Sequence, residues 1–413
     1  MVMVMSVFHL NIRQFIYSLS NALDLVGVTN VFHGRRVAYM SNLCAVELGW
    51  DNATLDQLFE ASILHDCGVS QTNVHAKLTQ LQWEEESNHC AIGAELLKRS
   101  PHLHHLSDII LYHHTHWDDL KSLDIPEHVK LCANCIYMAD RIDVLTLTSK
   151  LGQSNVLLGV EETLATVNRF KGSWFAPELV EAFNRVAAHE SFWLDLENVE
   201  DNVVATAWIE NERTRAFSFA DLKELVQVFS RIVDAKSPFT HDHSQGVARL
   251  SRYLAELFEL SETQCDRVEI AGLLHDIGKL RTPDEYLEKP GKLTESEYAM
   301  LRRHSYDTFN ILKKIGGFEE IALWASQHHE RIDGTGYPAH LSAENISLEA
   351  RIISVADVFQ ALAQKRPYRD PLQPEEIMTI LNRMVQDGAL EGSVVARIQQ
   401  NLNECYKKSL LLN

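Results

Sequence analysis

Residues 271–279 read AGLLHDIGK, and residues 61–69 read ASILHDCGV. Each is an apolar, helix-compatible run that ends on adjacent histidine and aspartate. Two such residues at one helix end supply two metal ligands from a single turn. Outward from the second copy, the ordered set is His243, His275, Asp276, His304, His328, His329 and Asp357. Outward from the first, it is His33, His65, Asp66, His89, His113, His114 and Asp140. The first interval is the same in both copies, 33 to 65 and 243 to 275, and so is a later one, 89 to 113 and 304 to 328. Imidazoles and carboxylates recurring in one order indicate a duplicated unit built around metal.

Helical periodicity surrounds these sets. LKELVQVFSRIVDA (222–235) aligns Leu222, Leu225, Val226, Phe229 and Val233 on one face. VARLSRYLAELFEL (247–260) does the same with Val247, Leu250, Leu254, Leu257 and Phe258. Strand-like alternation is sparse. The prediction is an all-α chain in two tandem helical domains, residues 1–200 and 215–413, with 196–217 reading as a connecting helix. A chain of 413 residues is long enough for each to bury its own core.

The net charge of −19 argues against a nucleic-acid polymer or an anionic membrane as partner, since both need a basic field. No apolar stretch is long enough to span a bilayer, so a cytoplasmic protein is expected. Self-association and other signalling proteins stay open as partners. The odd cysteine count, seven, suits free thiols in a reducing compartment. Cys132 and Cys135 form an unaccompanied CxxC in an apolar run and read as core positions.

The second constellation carries the more complete chemistry. Asp276 has two oxygens and can bridge two metals, one completed by His243, His275 and Asp357, the other by His304, His328 and His329. Two divalent ions about 4 Å apart can share a hydroxide and hold a phosphate between them. Mixed imidazole and carboxylate donors suit Fe, Mn, Zn, Ni or Co. Lys279, one turn after His275, is expected on a phosphate oxygen. Arg366 and Arg369, three apart in RPYR, are expected on the other phosphate as guanidinium forks. Tyr337 is a candidate for stacking on a base. Glu330 and Asp333 are expected to organise their loop by accepting hydrogen bonds.

LLHDIGKL (273–280), KPGKLTESEYAMLRRH (289–304), HHERIDGTGYP (328–338), ISVADVFQAL (353–362) and KRPYR (365–369) together resemble the HD-GYP subfamily of HD-domain phosphohydrolases. The resemblance runs through about 238–400. It implies an all-α HD-type domain, a bi- or trinuclear metal centre, and hydrolysis of a bacterial cyclic dinucleotide such as 3′3′-cGAMP or cyclic di-GMP to a linear 5′-phosphorylated dinucleotide by a metal-bridging hydroxide. The tandem layout resembles the cGAMP-hydrolysing members. Trinuclear members carry a further carboxylate one turn before the first histidine, where this chain has Phe239. Two divalent transition metal ions, Fe, Mn or similar, are therefore expected. The alternative is a non-catalytic cyclic-dinucleotide sensor or interaction module.

The first constellation keeps the ligand types but has Val69 at the place of Lys279, HHTHWDDLKSL after His113, and no RPYR. Three readings stand for this degenerate HD domain: a metal-loaded regulatory domain, a structural remnant, and a second active or ligand-sensing site.

Overall fold

A computed structural model describes residues 7–26, 32–71, 88–150, 155–199, 203–212, 214–236, 242–365 and 369–412. The two copies fold by the same local devices. Phe32 (φ 70°) precedes the helix His33–Glu47, and Asp242 (φ 64°) precedes His243–Leu257. Left-handed backbone is uncommon for residues with a side chain, yet it recurs at the equivalent point. A carboxylate ten residues upstream bonds the new helix in each copy. Asp24 Oδ1 accepts from the Gly34 amide at 2.9 Å, and Asp234 accepts from the Ser244 amide and, at 2.7 Å, from its hydroxyl.

The next helices, Asn52–Leu64 and Glu262–Leu274, are capped by Asp51 and by a Ser261–Gln264 capping box. They end at His65 and His275. The following turns lie directly on the helices that carry the third histidines, Asn88–Lys98 and Glu295–Leu312. A Cβ at Gly68 would sit 2.0 Å from the His89 carbonyl oxygen, and one at Gly278 would sit 2.1 Å from that of His304. Only glycine permits this approach, which explains its place in both His-Asp motifs. Ser107–Tyr112 and Glu319–Ser326 lead to the histidine pairs, and Glu127–Lys150 and Leu348–Ala363 carry the last aspartates.

One compact unit is Leu23–Arg213. The other is Thr214–Asn413 together with the N-terminal segment to Ala22. The segment up to Ala22 thus packs with the C-terminal copy, which departs from a division at 1–200. The reason is specific pairing. Val7–Leu10 is antiparallel to Arg215–Ser218, with Phe8 opposite Phe217. Phe15 sits edge-on against Phe229 and Phe318, with ring centroids 6.3 and 5.8 Å away. This short sheet is the one addition to an otherwise helical architecture among the described residues. The predicted connecting helix exists as Val203–Glu210 in the N-terminal unit, where the Trp208 ring packs 4.5 Å from Phe59.

The predicted apolar face of Phe219–Asp234 is buried throughout, and Val247, Leu250 and Leu254 are buried from His243–Leu257. Cys132 and Cys135 are buried free thiols in the core of the N-terminal unit. Among the described residues no helix is long and apolar enough to cross a membrane.

Gly278→Ala should force the His-Asp turn away from backbone that cannot yield. A loss of about 1–3 kcal/mol is expected, read as a lower denaturation midpoint. An unchanged midpoint would mean that this close approach is not a constraint.

Candidate metal centres

In the C-terminal unit all seven candidate ligands are brought together. His243, His275 and Asp276 form one group, and His304, His328 and His329 form another, with donor atoms in each within 4.8 Å of one another. Asp276 lies between them. Its Oδ2 is 3.6 Å from His243 Nε2 and 3.3 Å from His275 Nε2. Its Oδ1 is 3.6 Å from His304 Nε2 and 3.7 Å from His328 Nε2. Asp357 Oδ1 stands 3.3 Å from His243 Nε2 and 3.8 Å from His275 Nε2.

The rings are aimed by their other nitrogen. Nδ1 of His275, His304 and His328 bonds the carbonyl three residues earlier, on Gly272, Leu301 and Ala325, at 2.6–2.7 Å. His243 Nδ1 bonds the Gln360 amide oxygen at 2.5 Å. Each Nε2 is left as the inward lone pair, the arrangement that metal-ligating histidines use. His275 Nε2 and Asp276 Oδ1 are buried with no hydrogen-bond partner. A divalent cation satisfies an imidazole lone pair and a carboxylate oxygen together, so the donor set fits one.

The electrostatics of the second group agree. Burial, with His329 and Lys279 close by, lowers His304 to about 3. Burial, with Lys279 and His275, lowers His329 to about 4 against the pull of Asp357. Both imidazoles are neutral at physiological pH, as ligands must be. Burial opposes ionisation of Asp276 and Asp357, but neighbouring positive groups hold both well below the usual carboxylate range. Burial also opposes charge on His243, yet Asp276 and Asp357 raise it to about 9.

Lys279 departs from the expected placement. The helix stops before it, and it lies in a 3-10 turn, Ile277–Arg281. Its ammonium bonds Asp276 Oδ2 three residues back, so the charge enters the centre through the Asp276 carboxylate.

The HHERIDGTGYP loop closes over the second group. Tyr337 N bonds the His329 carbonyl at 3.1 Å, and its ring centroid is 4.8 Å from that of His329. Glu330, buried, accepts from the amides of Ala339 at 2.7 Å and Leu341 at 3.0 Å. Asp333 accepts from the Thr335 amide and hydroxyl. A Cβ at Gly336 would lie 2.3 Å from the Arg331 amide. A cavity of about 330 Å³ opens here, lined by His328, His329, Arg331, Tyr337, Ser354 and Met384 among others. Arg369 donates to the Ala361 carbonyl at 2.7 Å, with no contact to the metal-site residues among the described ones. Arg366 and Phe239 lie outside the described residues.

In the N-terminal unit, His33, His65 and Asp66 form one group. His89 Nε2 is 3.8 Å from Asp66 Oδ1, and His114 Nε2 is 3.7 Å from Asp140 Oδ2. His65 and His113 again bond the carbonyl three residues earlier, on Ser62 and Ile110. The surroundings differ. His33 Nδ1 bonds Asp143, which also takes the Arg36 guanidinium. Arg141 binds Asp140 Oδ2 at 2.6 Å. Tyr137 replaces the missing loop tyrosine, its ring 5.5 Å from that of His114, and the His116 ring stacks on Trp174. The cavity beside His33, His65, Asp66 and Val69 is about 20 Å³.

Models of the HD domain match residues 31–145 and 227–394. The 3′3′-cGAMP-specific phosphodiesterase 1 of Vibrio cholerae is 37% identical over 97% of this chain and 94% of its own. The chain belongs to the HD-GYP family of phosphodiesterases. The Xanthomonas campestris cyclic di-GMP phosphodiesterase response regulator RpfG is 40% identical over 36% of this chain and 40% of its own. A crystal structure of a cyclic GMP-AMP specific phosphodiesterase from V. cholerae shares the fold, with TM-score 0.64, 24% identity and 99% of each chain covered.

For an HD-GYP protein, sequence reading missed the residues that aim the ligands. Gln360 and Asp143 each lie three positions after the last aspartate of their copy, one helical turn on. Aligning ADVFQ with ADRID exposes the exchange. Arg36 and Arg141 stand where the second copy has Gly246 and Val358.

Glu330→Ala should leave two amides unpaired, at about 1–3 kcal/mol. Faster hydrogen exchange at 330–341 with retained metal is the expected result. Unchanged exchange would remove Glu330 as the organiser of this loop.

Proposed function

We propose that the C-terminal unit opens a bacterial cyclic dinucleotide, 3′3′-cGAMP or cyclic di-GMP, to the linear 5′-phosphorylated dinucleotide. The observation that carries the reading is Asp276, set between two groups of imidazoles with the Lys279 ammonium on it. His243, His275, Asp276 and Asp357 would hold one divalent ion, and Asp276, His304, His328 and His329 a second, with Fe or Mn suited to these donors. Such a pair supplies an activated water and positive charge for the phosphoryl oxygens.

The chain's own residues do the rest. Asp276 stays ionised, with one oxygen toward each group. Lys279 offsets carboxylate charge at the point where a phosphate must approach, and its remaining donors suit a phosphoryl oxygen. Tyr337 and the rigid loop present an aromatic wall beside His329 for a base. Arg369, held on the Ala361 carbonyl, would have to leave that bond to meet a phosphate. Hydrolysis adds water across one P–O3′ bond and leaves a 5′-phosphate and a 3′-hydroxyl.

Similarity along nearly the full length to a cGAMP-specific enzyme supports 3′3′-cGAMP as the preferred substrate. A cytoplasmic location accords with a soluble intracellular messenger. The N-terminal unit, with Val69 for the lysine, serves as a non-hydrolytic regulatory domain.

Anaerobically purified, metallated protein incubated with 3′3′-cGAMP, cyclic di-GMP and cyclic di-AMP should yield linear product from the first. Asp276→Ala should lose metal from the C-terminal centre and all turnover. Lys279→Met should keep its metal and lose about 10²–10³ in kcat. No linear product from any of the three with full metal occupancy would sink the catalytic reading.

A further inference from the structure

The two centres differ at one donor position that the ligand series above omits. The residue after the third histidine is Ser305 in the C-terminal unit and Cys90 in the N-terminal unit. Ser305 Oγ lies 3.3 Å from His304 Nε2. Cys90 Sγ lies 3.5 Å from His89 Nε2 and 4.0 Å from His113 Nε2. A hydroxyl has been exchanged for a soft sulfur donor at the same place against the same ring. His89, Cys90 and His113 are all buried, and their donor atoms lie within 4.8 Å of one another. His113 Nδ1 is held on the Ile110 carbonyl, which leaves its Nε2 for the group. Asp66 Oδ1, 3.8 Å from His89 Nε2, adds an oxygen donor at the edge.

Around the rest of this centre the donors are kept and their partners have changed. Arg141 occupies Asp140 Oδ2, and Arg36 occupies Asp143, the carboxylate behind His33. The C-terminal unit has glycine, valine and a neutral glutamine at the places of Arg36, Arg141 and Asp143. Arg36 is paired with Asp143, and Arg141 covers Asp140 Oδ2, the oxygen toward His114, while Oδ1 stays 3.3 Å from His33 Nε2. The donors around His33 are retained, and the half around His89 has gained a sulfur.

We propose that the N-terminal unit holds a thiophilic divalent ion, of the zinc class, through His89, Cys90 and His113. Nitrogen and sulfur donors select such an ion, whereas the C-terminal set offers only nitrogen and oxygen. On binding, the Cys90 S–H bond breaks, a metal–sulfur bond forms, and one proton passes to solvent. One chain thereby carries two centres with different metal preferences. The proposal is independent of the phosphodiesterase reading, and its test uses no turnover.

Full-length protein is stripped and reloaded with cobalt(II). A thiolate-to-cobalt charge-transfer band in the near ultraviolet reports a sulfur ligand, and the C-terminal centre has none to contribute. The band is expected in the wild type and in Cys67→Ser, and should vanish in Cys90→Ser. A cobalt-loaded wild type without the band, or a band that survives Cys90→Ser, overturns the proposal. Should Cys90→Ser fail to fold, X-ray absorption on zinc-loaded Asp276→Ala, which keeps Cys90, decides the matter. A Zn–S distance of about 2.3 Å is expected, and a spectrum with only nitrogen and oxygen neighbours refutes it.

Discussion

Several imidazoles can face one point only if each ring is held from behind. For His243, His275, His304 and His328 that hold is the bond from Nδ1 to an acceptor outside the centre. His275, His304 and His328 use the carbonyl one turn earlier in their own helix. The acceptor is therefore supplied by helix geometry, and it fixes both tautomer and direction. His243 opens its helix and has no preceding turn, so it takes its acceptor from Gln360 on another helix. The position of the Leu348–Ala363 helix is thereby tied to the first ligand as well as to Asp357.

The same hold survives in the N-terminal unit, where His65 and His113 keep their carbonyl acceptors. What has drifted is the chemistry around it. The exchange of glycine and glutamine for Arg36 and Asp143 keeps the support of His33 but makes it ionic. Loss of the lysine removes the charge on the bridging aspartate, and Val69 is buried in its place. A scaffold that aims donors through backbone bonds tolerates such changes, because the aim does not depend on the residues that changed.

The loop of the C-terminal unit shows the complementary strategy. Its shape is set by Glu330 and Asp333, which accept amides of the loop itself, and by a glycine where a Cβ would strike backbone. The two acidic residues that follow the histidine pair in the loop are thus occupied in building the wall of the cavity, and Tyr337 stands against His329 on its face.

Much of this was legible in the residues alone. Helical periodicity, the ordered histidines and aspartates, and the equal intervals of the two copies determined the fold class, the duplication and the set of candidate ligands, because residue type and helix period are local properties. The glycine after each His-Asp was visible, but its reason, a contact with the third histidine's carbonyl, was not. Only the tertiary structure decided which unit the N-terminal segment joins, that Lys279 binds Asp276, and that Arg141 covers Asp140 Oδ2 while a thiol stands beside His89. Each depends on distances between segments far apart in the chain, and spacing within a segment does not encode those distances.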